Sequence, residues 1–405
     1  KSRWFNVRDL KIMKYKPDQI QTHEIKDATL EVGKFSKKVV HVEAGAPAKT
    51  DDTGLGYEQG TMWIDSTNGD MYICSDHSAE DAVWLNMEGD DVNPPFRIQG
   101  STSGFSYCWS NPGGYPGVID AYSFTSDGNA TDHGEGVAGN YTSRGSTRDT
   151  THNYHMGISN GPGVPGAGAS SIHRWPFTAP ASQADIGEHS LAPTYSASMG
   201  SSGGATDGTY GFIMGALGEP PTNIIDHVEK FTMASPEPSA DKGGELTSGR
   251  GGLGGNSDVT GGYMFSVGGY DAYIPSQTNS DIIERGAFTI SSGTFTDWGN
   301  LSSATDSHGM AGTTTHGYRH GGTGPVNVIE NYPYSSPSNT SDVGDLTQSV
   351  KWCGGSSSTT HGYRSGGVIP SHVNVIDKYS FPAGGNAADV GDLSAPANGG
   401  VGTEI

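Results

Sequence analysis

Apolar and polar positions alternate along this chain in short runs, such as Thr29-Leu30-Glu31-Val32, Val39-Val40-His41-Val42 and Met71-Tyr72-Ile73-Cys74. A period of two over four to eight residues predicts half-buried β-strands. From Pro95 onward the runs recur in sets. An apolar pair followed by a polar residue appears at Val118-Ile119-Asp120, Ser171-Ile172-His173, Ile224-Ile225-Asp226, Ile282-Ile283-Glu284, Val328-Ile329-Glu330 and Val375-Ile376-Asp377. An aromatic ring follows each set, at Phe124, Phe177, Phe231, Phe288, Tyr334 and Phe381, and then an Asp-x-Gly, as at Asp342/Gly344 and Asp389/Gly391. Upstream of each set stands another aromatic, Tyr107, Tyr154, Phe212, Phe265, Tyr318 or Tyr363. Four marks in one order, six times over, define six repeats of roughly 50 residues.

One repeat, read from His316, contains an aromatic strand ending in Gly-Gly, a strand over Asn327–Tyr334, a strand around Asp342–Leu346 and a Ser/Thr/Gly-rich run into the next aromatic strand. Four short strands per repeat predict an all-β fold, a six-bladed β-propeller over residues 92–405 whose blades cover one another's apolar faces. Glycines fit its tight inner strands. Phe96–Gly100 aligns with the first strand of the first repeat, and Asn398–Ile405 with the first strand of a repeat that never continues. The C-terminal segment is therefore expected to pair into the first blade, since an open edge there would invite aggregation.

Residues 51–91 carry a hairpin signal, Thr61–Asp65 and Met71–Cys74 around Asn68-Gly69, with Trp84 and Leu85 as a third strand. Residues 1–50 read as an extended basic arm with one or two strands.

Composition agrees with strands and tight turns: 62 of 405 residues are Gly. The formal net charge is −21, yet residues 1–50 hold 11 Lys/Arg against 6 Asp/Glu. The remainder should repel nucleic acid and anionic membranes. No apolar run approaches the ~18 residues that span a bilayer, and no signal-peptide pattern is seen. Cys74, Cys108 and Cys353 are far apart, which supports neither a disulfide framework nor a zinc site.

His316-Gly-Tyr-Arg319 and His361-Gly-Tyr-Arg364 resemble catalytic motifs but occupy matching places in adjacent repeats, which argues for a scaffold role. The Asp-x-Gly runs read as turns whose Asp accepts from backbone amides. Neither nucleophile elbow nor phosphate loop occurs, so no catalytic residue, metal or cofactor is expected. Binding is placed where the repeats differ, in longer loops at Asn160–Ser170 and Tyr270–Ser280, with Tyr270, Asp271, Tyr273 and Gln277 exposed for a glycan or protein partner.

The run GTMWIDSTNGDMYI followed by VWLNMEG resembles a β-element of bacteriophage tail-fibre and other appendage proteins. The aromatic strand, Gly-Gly and following aromatics resemble the kelch repeat, although the Trp of that family's last strand is absent from most copies. HGYRSGG, NVIDKYSF and ADVGDLS are similar to degenerate kelch-like repeats in virion appendages of marine and cyanobacterial phages. These resemblances imply a non-catalytic virion structural protein. Residues 1–91 would attach to other virion proteins, and the propeller would meet a host surface glycan or protein, as a homo-oligomer without nucleic-acid or membrane contacts. A purely structural head or tail decoration protein and a carbohydrate-active propeller enzyme are the alternatives.

Overall fold

The computed structural model describes residues 40–67, 69–79, 81–86, 96–110, 114, 117–136, 145–158, 171–188, 202–217, 224–234, 240–272, 277–381 and 383–405. The chain forms two compact units, Lys1–Pro95 and Phe96–Ile405. Residues 1–39 of the arm expected over 1–50, and the loop Asn160–Ser170, lie outside the described residues.

In the first unit the expected hairpin forms from Met62–Asp65 and Met71–Asp76, and Val83–Leu85 adds the third strand. A fourth strand, Val40–Glu43, pairs in parallel with Met62–Asp65. Alternation sends Trp63, Tyr72, Cys74 and Trp84 to one face, where Tyr57 and Ala82 complete a closed cluster. The indole N–H of Trp63 donates to Gly45 O at 2.9 Å and that of Trp84 to Asp51 O at 3.0 Å, so both rings are buried without stranding a donor. The opposite face leaves Val40 and Val42 in solvent, 53% and 60% exposed.

Among the described residues the second unit is built of small sheets, six of which share a core of four antiparallel strands; two of the six add a short parallel fifth strand, Ala181–Ser182 beside Thr131–Glu135 and Gly293–Thr294 beside Ala240–Glu245, and two further sheets have two strands each. The fifth is representative: Gly309–Gly312, His316–His320, Val326–Pro333 and Ser341–Val350. The first sheet departs from strict order, because its innermost strand is Asn398–Glu404, paired antiparallel with Ser103–Ser110. Phe96–Gly100 is not that strand. Its one β-pairing is a bridge from Gly100 to Ser358, since the ladder position it would occupy is filled by the chain's last strand.

Two devices join one sheet to the next. The first is aromatic: the ring on each second strand packs on rings of the following sheet. In the first sheet that ring is Phe105 and not the expected Tyr107, which lies against His155: Phe105 meets Trp175 and Phe177, Tyr154 meets Phe231, and Phe212 meets Phe288. Phe265 meets Tyr332 and Tyr334, Tyr318 meets Tyr379 and Phe381, and Tyr363 meets Tyr122 and Phe124 of the first sheet. Such pairs contribute about 0.5–1.5 kcal/mol each beyond their buried area.

The second device lies in the Asp-x-Gly runs, which are bulges in outer strands rather than turns. Gly299, Gly344 and Gly391 donate to Asp297, Asp342 and Asp389 at 3.0–3.2 Å, so the expected acceptor role of the Asp holds. The residue after each glycine then reaches an Asn side chain of the next sheet: Asn300 N to Asn339, Asp345 N to Asn386, Asp392 N to Asn129, all at 3.1 Å. The glycine itself permits the approach, since a Cβ on Gly391 would collide with the Gly128 carbonyl.

The third repeat corrects the sequence register. Its strand Ile224–Thr232 places Val228 and Glu229, not Ile225 and Asp226, opposite Met214 and Ile213. Met233 then takes the place of the downstream aromatic. Its carbonyl accepts from the Tyr154 hydroxyl at 3.0 Å, as that of Phe381 accepts from Tyr318 at 3.2 Å.

Candidate functional site

The polar residues that seemed chemical in the sequence are absorbed by the scaffold. Arg364 and Asp377, opposite each other on neighbouring strands, are both fully buried and joined at 2.6 Å. Arg319 and Glu330 repeat the arrangement at 3.4 Å. The acid of each pair also accepts from the sheet before it, Asp377 from Thr347 N at 3.1 Å and Glu330 from Ser302 N at 3.0 Å. Asp120 does the same for Ser394 N at 2.9 Å, with no arginine opposite; burial raises its pKa.

In the fourth sheet Ser266 stands where Arg364 stands in the sixth, and Arg250 enters from the preceding connection to fill the gap. It bonds Glu284, Ser266 Oγ, Gly268 O and Ile282 O. The last two match the Gly366 and Val375 carbonyls that Arg364 bonds. This substitution across the chain is invisible to a repeat alignment. His155 and His320 are buried and pushed down to about 3 by desolvation, so both are neutral packing groups near pH 7. Burial pushes the Cys353 thiol up to about 11 and that of Cys108 well above the ordinary range, which leaves neither as a nucleophile. Among the described residues no three His, Cys, Asp or Glu side chains gather to hold a metal, and no helix is long and apolar enough to cross a membrane.

What remains is one end of the second unit. Inner strands begin there, after connections from the preceding sheet, and loops joining second to third strands emerge beside them. Among the described residues two of these loops carry added hairpins: Tyr270–Ala272 with Thr278–Asn279, and Val368–Ile369 with Ser371–His372. Each hairpin is pinned to a neighbouring connection by a bridge, Gly251 to Tyr270 and Lys351 to Val368. The sequence marked Tyr270–Ser280 as a longer loop without its strands and missed the second insertion, because Val368–Val373 is too short to stand out.

Of the four residues expected to be exposed there, Asp271 and Gln277 are, and Gln277 donates to Asn279 at 3.0 Å. Tyr270 is not: it is 4% exposed, its backbone exchanges two hydrogen bonds with Gly251, and its ring lies against that glycine. Pairing of the hairpin to the connection turns the ring inward. Tyr273 lies outside the described residues.

The connections that hold the hairpins lead into residues lining a cavity of about 140 Å³. Gly252, Ser307, His308 and Trp352, which precede the inner strands, line it at the hairpin end, and Ser257, Ser357, Arg148 and Glu404 line it toward the strands' other end. Arg148 is held by Arg97 O at 2.5 Å, by the Phe96 ring at 4.9 Å and by Glu404 at 3.9 Å. Burial raises the Glu404 carboxyl to about 7, against the opposing pull of Arg148 and Ser357 N.

No family model matches the chain, and no curated protein matches it. Among solved structures, YjhT, of kelch- or propeller-like fold, is similar with a TM-score of 0.51 at 9% identity, over 64% of this chain and 86% of that one. The likeness bears on the fold alone: the chain is all-β and β-propeller-like.

Proposed function

We propose that the chain is a non-catalytic virion appendage protein of a bacteriophage, in which a closed six-bladed kelch-like propeller displays an adhesion surface. Support for the ring comes from the inner strands. Gly145–Arg148, Gly203–Thr206, Gly254–Asp258, Gly309–Gly312, Gly354–Ser357 and Asn398–Glu404 each lie beside the next, and the last lies beside the first. Support for adhesion rests on one observation: the repeated charged residues are spent inside the scaffold, while both added hairpins share one end. A rigid scaffold presenting irregular loops is how recognition surfaces are commonly built. Residues 1–91 would attach the chain to other virion proteins; exposed Val40, Val42 and Leu55 favour such contact.

The test labels the full chain at Ile405, images phage particles and measures binding of the labelled chain to host cells. Label on particles with saturable cell binding supports the reading. Particle label without cell binding favours a decoration protein, and release of reducing ends from host polysaccharide favours a carbohydrate-active enzyme. Particles without label overturn the virion assignment.

A further inference from the structure

Four of the six sheets carry a cation on the third strand, directly opposite the aromatic ring of the second: Arg174 opposite Tyr154, Lys230 opposite Phe212, Arg285 opposite Phe265 and Lys378 opposite Tyr363. In the sixth sheet this cation has an acid. Lys378 bonds Asp127, which stands three residues past Phe124 in the outer connection of the first sheet. The fifth sheet has Pro337 three residues past Tyr334, so that connection brings Arg285 no carboxylate. The two connections are otherwise in step. Asn129 and Asn339 follow two residues later and accept from the preceding sheet in the same way.

Arg285 is nevertheless held in place. Its guanidinium carbon lies 3.8 Å from the Tyr263 ring centroid and 3.7 Å from that of Trp298, rings that stand on the strands to either side of it. Trp298 is itself fixed, buried with its indole N–H on Pro333 O at 2.8 Å. Stacking occupies the faces of a guanidinium, whereas its five N–H donors lie in the plane at the edge. Arg285 is half-buried, its nitrogens stay in contact with solvent, and among the described residues none accepts from them. A donor fork whose rotamer is set by packing is preorganised for a planar oxyanion bound through two parallel N–H bonds.

The surroundings narrow the ligand. On a chain of net charge −21 a singly charged carboxylate is repelled less than a doubly charged phosphate. Thr296, directly opposite Arg285, and Ser335 and Ser336, in the connection leading to Pro337, are exposed hydroxyls. The described residues of this unit expose no large apolar side chain, which a protein partner would need as an anchor. A carboxylate on a hydroxyl-rich frame fits both features, and that is an acidic sugar.

We propose that Arg285 anchors the carboxylate of an acidic saccharide at the rim between the fourth and fifth sheets. Tyr263 begins its strand at this rim, and the added hairpin follows the strand's other end, so the site is separate from the adhesion surface and independent of that reading.

The experiment uses the full chain with isotope-labelled arginine, as wild type, Arg285→Gln and Arg285→Lys. Each is titrated with the methyl glycosides of glucuronic acid and N-acetylneuraminic acid, with methyl glucoside and with acetate. The Arg285 Nε–H signal, assigned by its loss in the variants, should shift saturably with an acidic glycoside and not with methyl glucoside. Affinity by calorimetry should fall at least about tenfold in Arg285→Gln and by less in Arg285→Lys, which keeps the charge without the fork. No saturable shift in the wild type overturns the site, as does equal affinity in wild type and Arg285→Gln. A lowered thermal midpoint in Arg285→Gln with no glycoside bound by the wild type leaves Arg285 a packing residue and also overturns it. Saturation by acetate at the same concentrations overturns the saccharide assignment. An acidic glycoside bound without host-cell binding supports this site and counts against the adhesion reading alone.

Discussion

At the scale of single residues, the main finding is that similar-looking polar groups have opposite fates. Arg364 reads as a catalytic candidate and is a wholly buried strut, bonded to Asp377 and two carbonyls. Truncating it as Arg364→Ala leaves Asp377 buried without its counter-charge, and the loss should be about 3–5 kcal/mol by urea unfolding. A loss below about 1 kcal/mol would show that the pair is not the strut described. The sequence exposed the place of Arg364 through its repetition but not its partner. A strand pairing Arg364 with Asp377 is non-local, and only the register states it. Tyr270 erred for a related reason: exposure was inferred from its place in an insertion, whereas the bridge to Gly251 decides which way the ring turns.

At the scale of elements, most aromatic marks were legible because they are packing positions that recur at similar spacings; in the first repeat Tyr107 was marked although Phe105, two residues earlier on the same face, is the ring that packs on the next sheet. The third repeat was misread because its nine-residue strand begins with Ile224 and Ile225, an apolar pair that imitates the one its register uses, Val228 with Glu229 beyond it. The expected pairing of the C-terminal segment with the first sheet is present, while the expectation for Phe96–Gly100 failed against it. Removing residues 396–405 strips the ladder from Ser103–Ser110 and takes Glu404 away from Arg148. The truncated chain should lose at least about 10 °C in thermal midpoint and gain a tendency to aggregate by the exposed edge, read by calorimetry and light scattering. An unchanged midpoint would count against closure by that strand.

At the scale of the whole molecule, Glu404 ties three sheets together, lying on the first sheet's innermost strand, facing Arg148 of the second and accepting from Ser357 N of the sixth at 3.3 Å. Its carboxyl, held near 7, favours the neutral form in the folded chain. The stability it contributes is therefore full below its unfolded value of 4.5 and is lost as pH rises through about 7. Relative to Glu404→Gln, the wild-type unfolding free energy should fall by up to about 3 kcal/mol between pH 5 and 8. A constant difference between the two across that range would refute the assignment. His155 and His320 act in the opposite sense: their contribution is present above 6.5 and is lost as pH falls toward 3.

The place where the last strand joins the first sheet also bears on mechanics. The chain enters the second unit at Phe96 and passes into Ser103–Ser110, which is flanked by Asn398–Glu404 on one side and Val118–Ser123 on the other. Drawing Ser103–Ser110 out lengthwise would break the hydrogen bonds of two antiparallel ladders together instead of one at a time. A tether joined to an edge strand would peel. A strand held on both sides resists lengthwise pulling in shear.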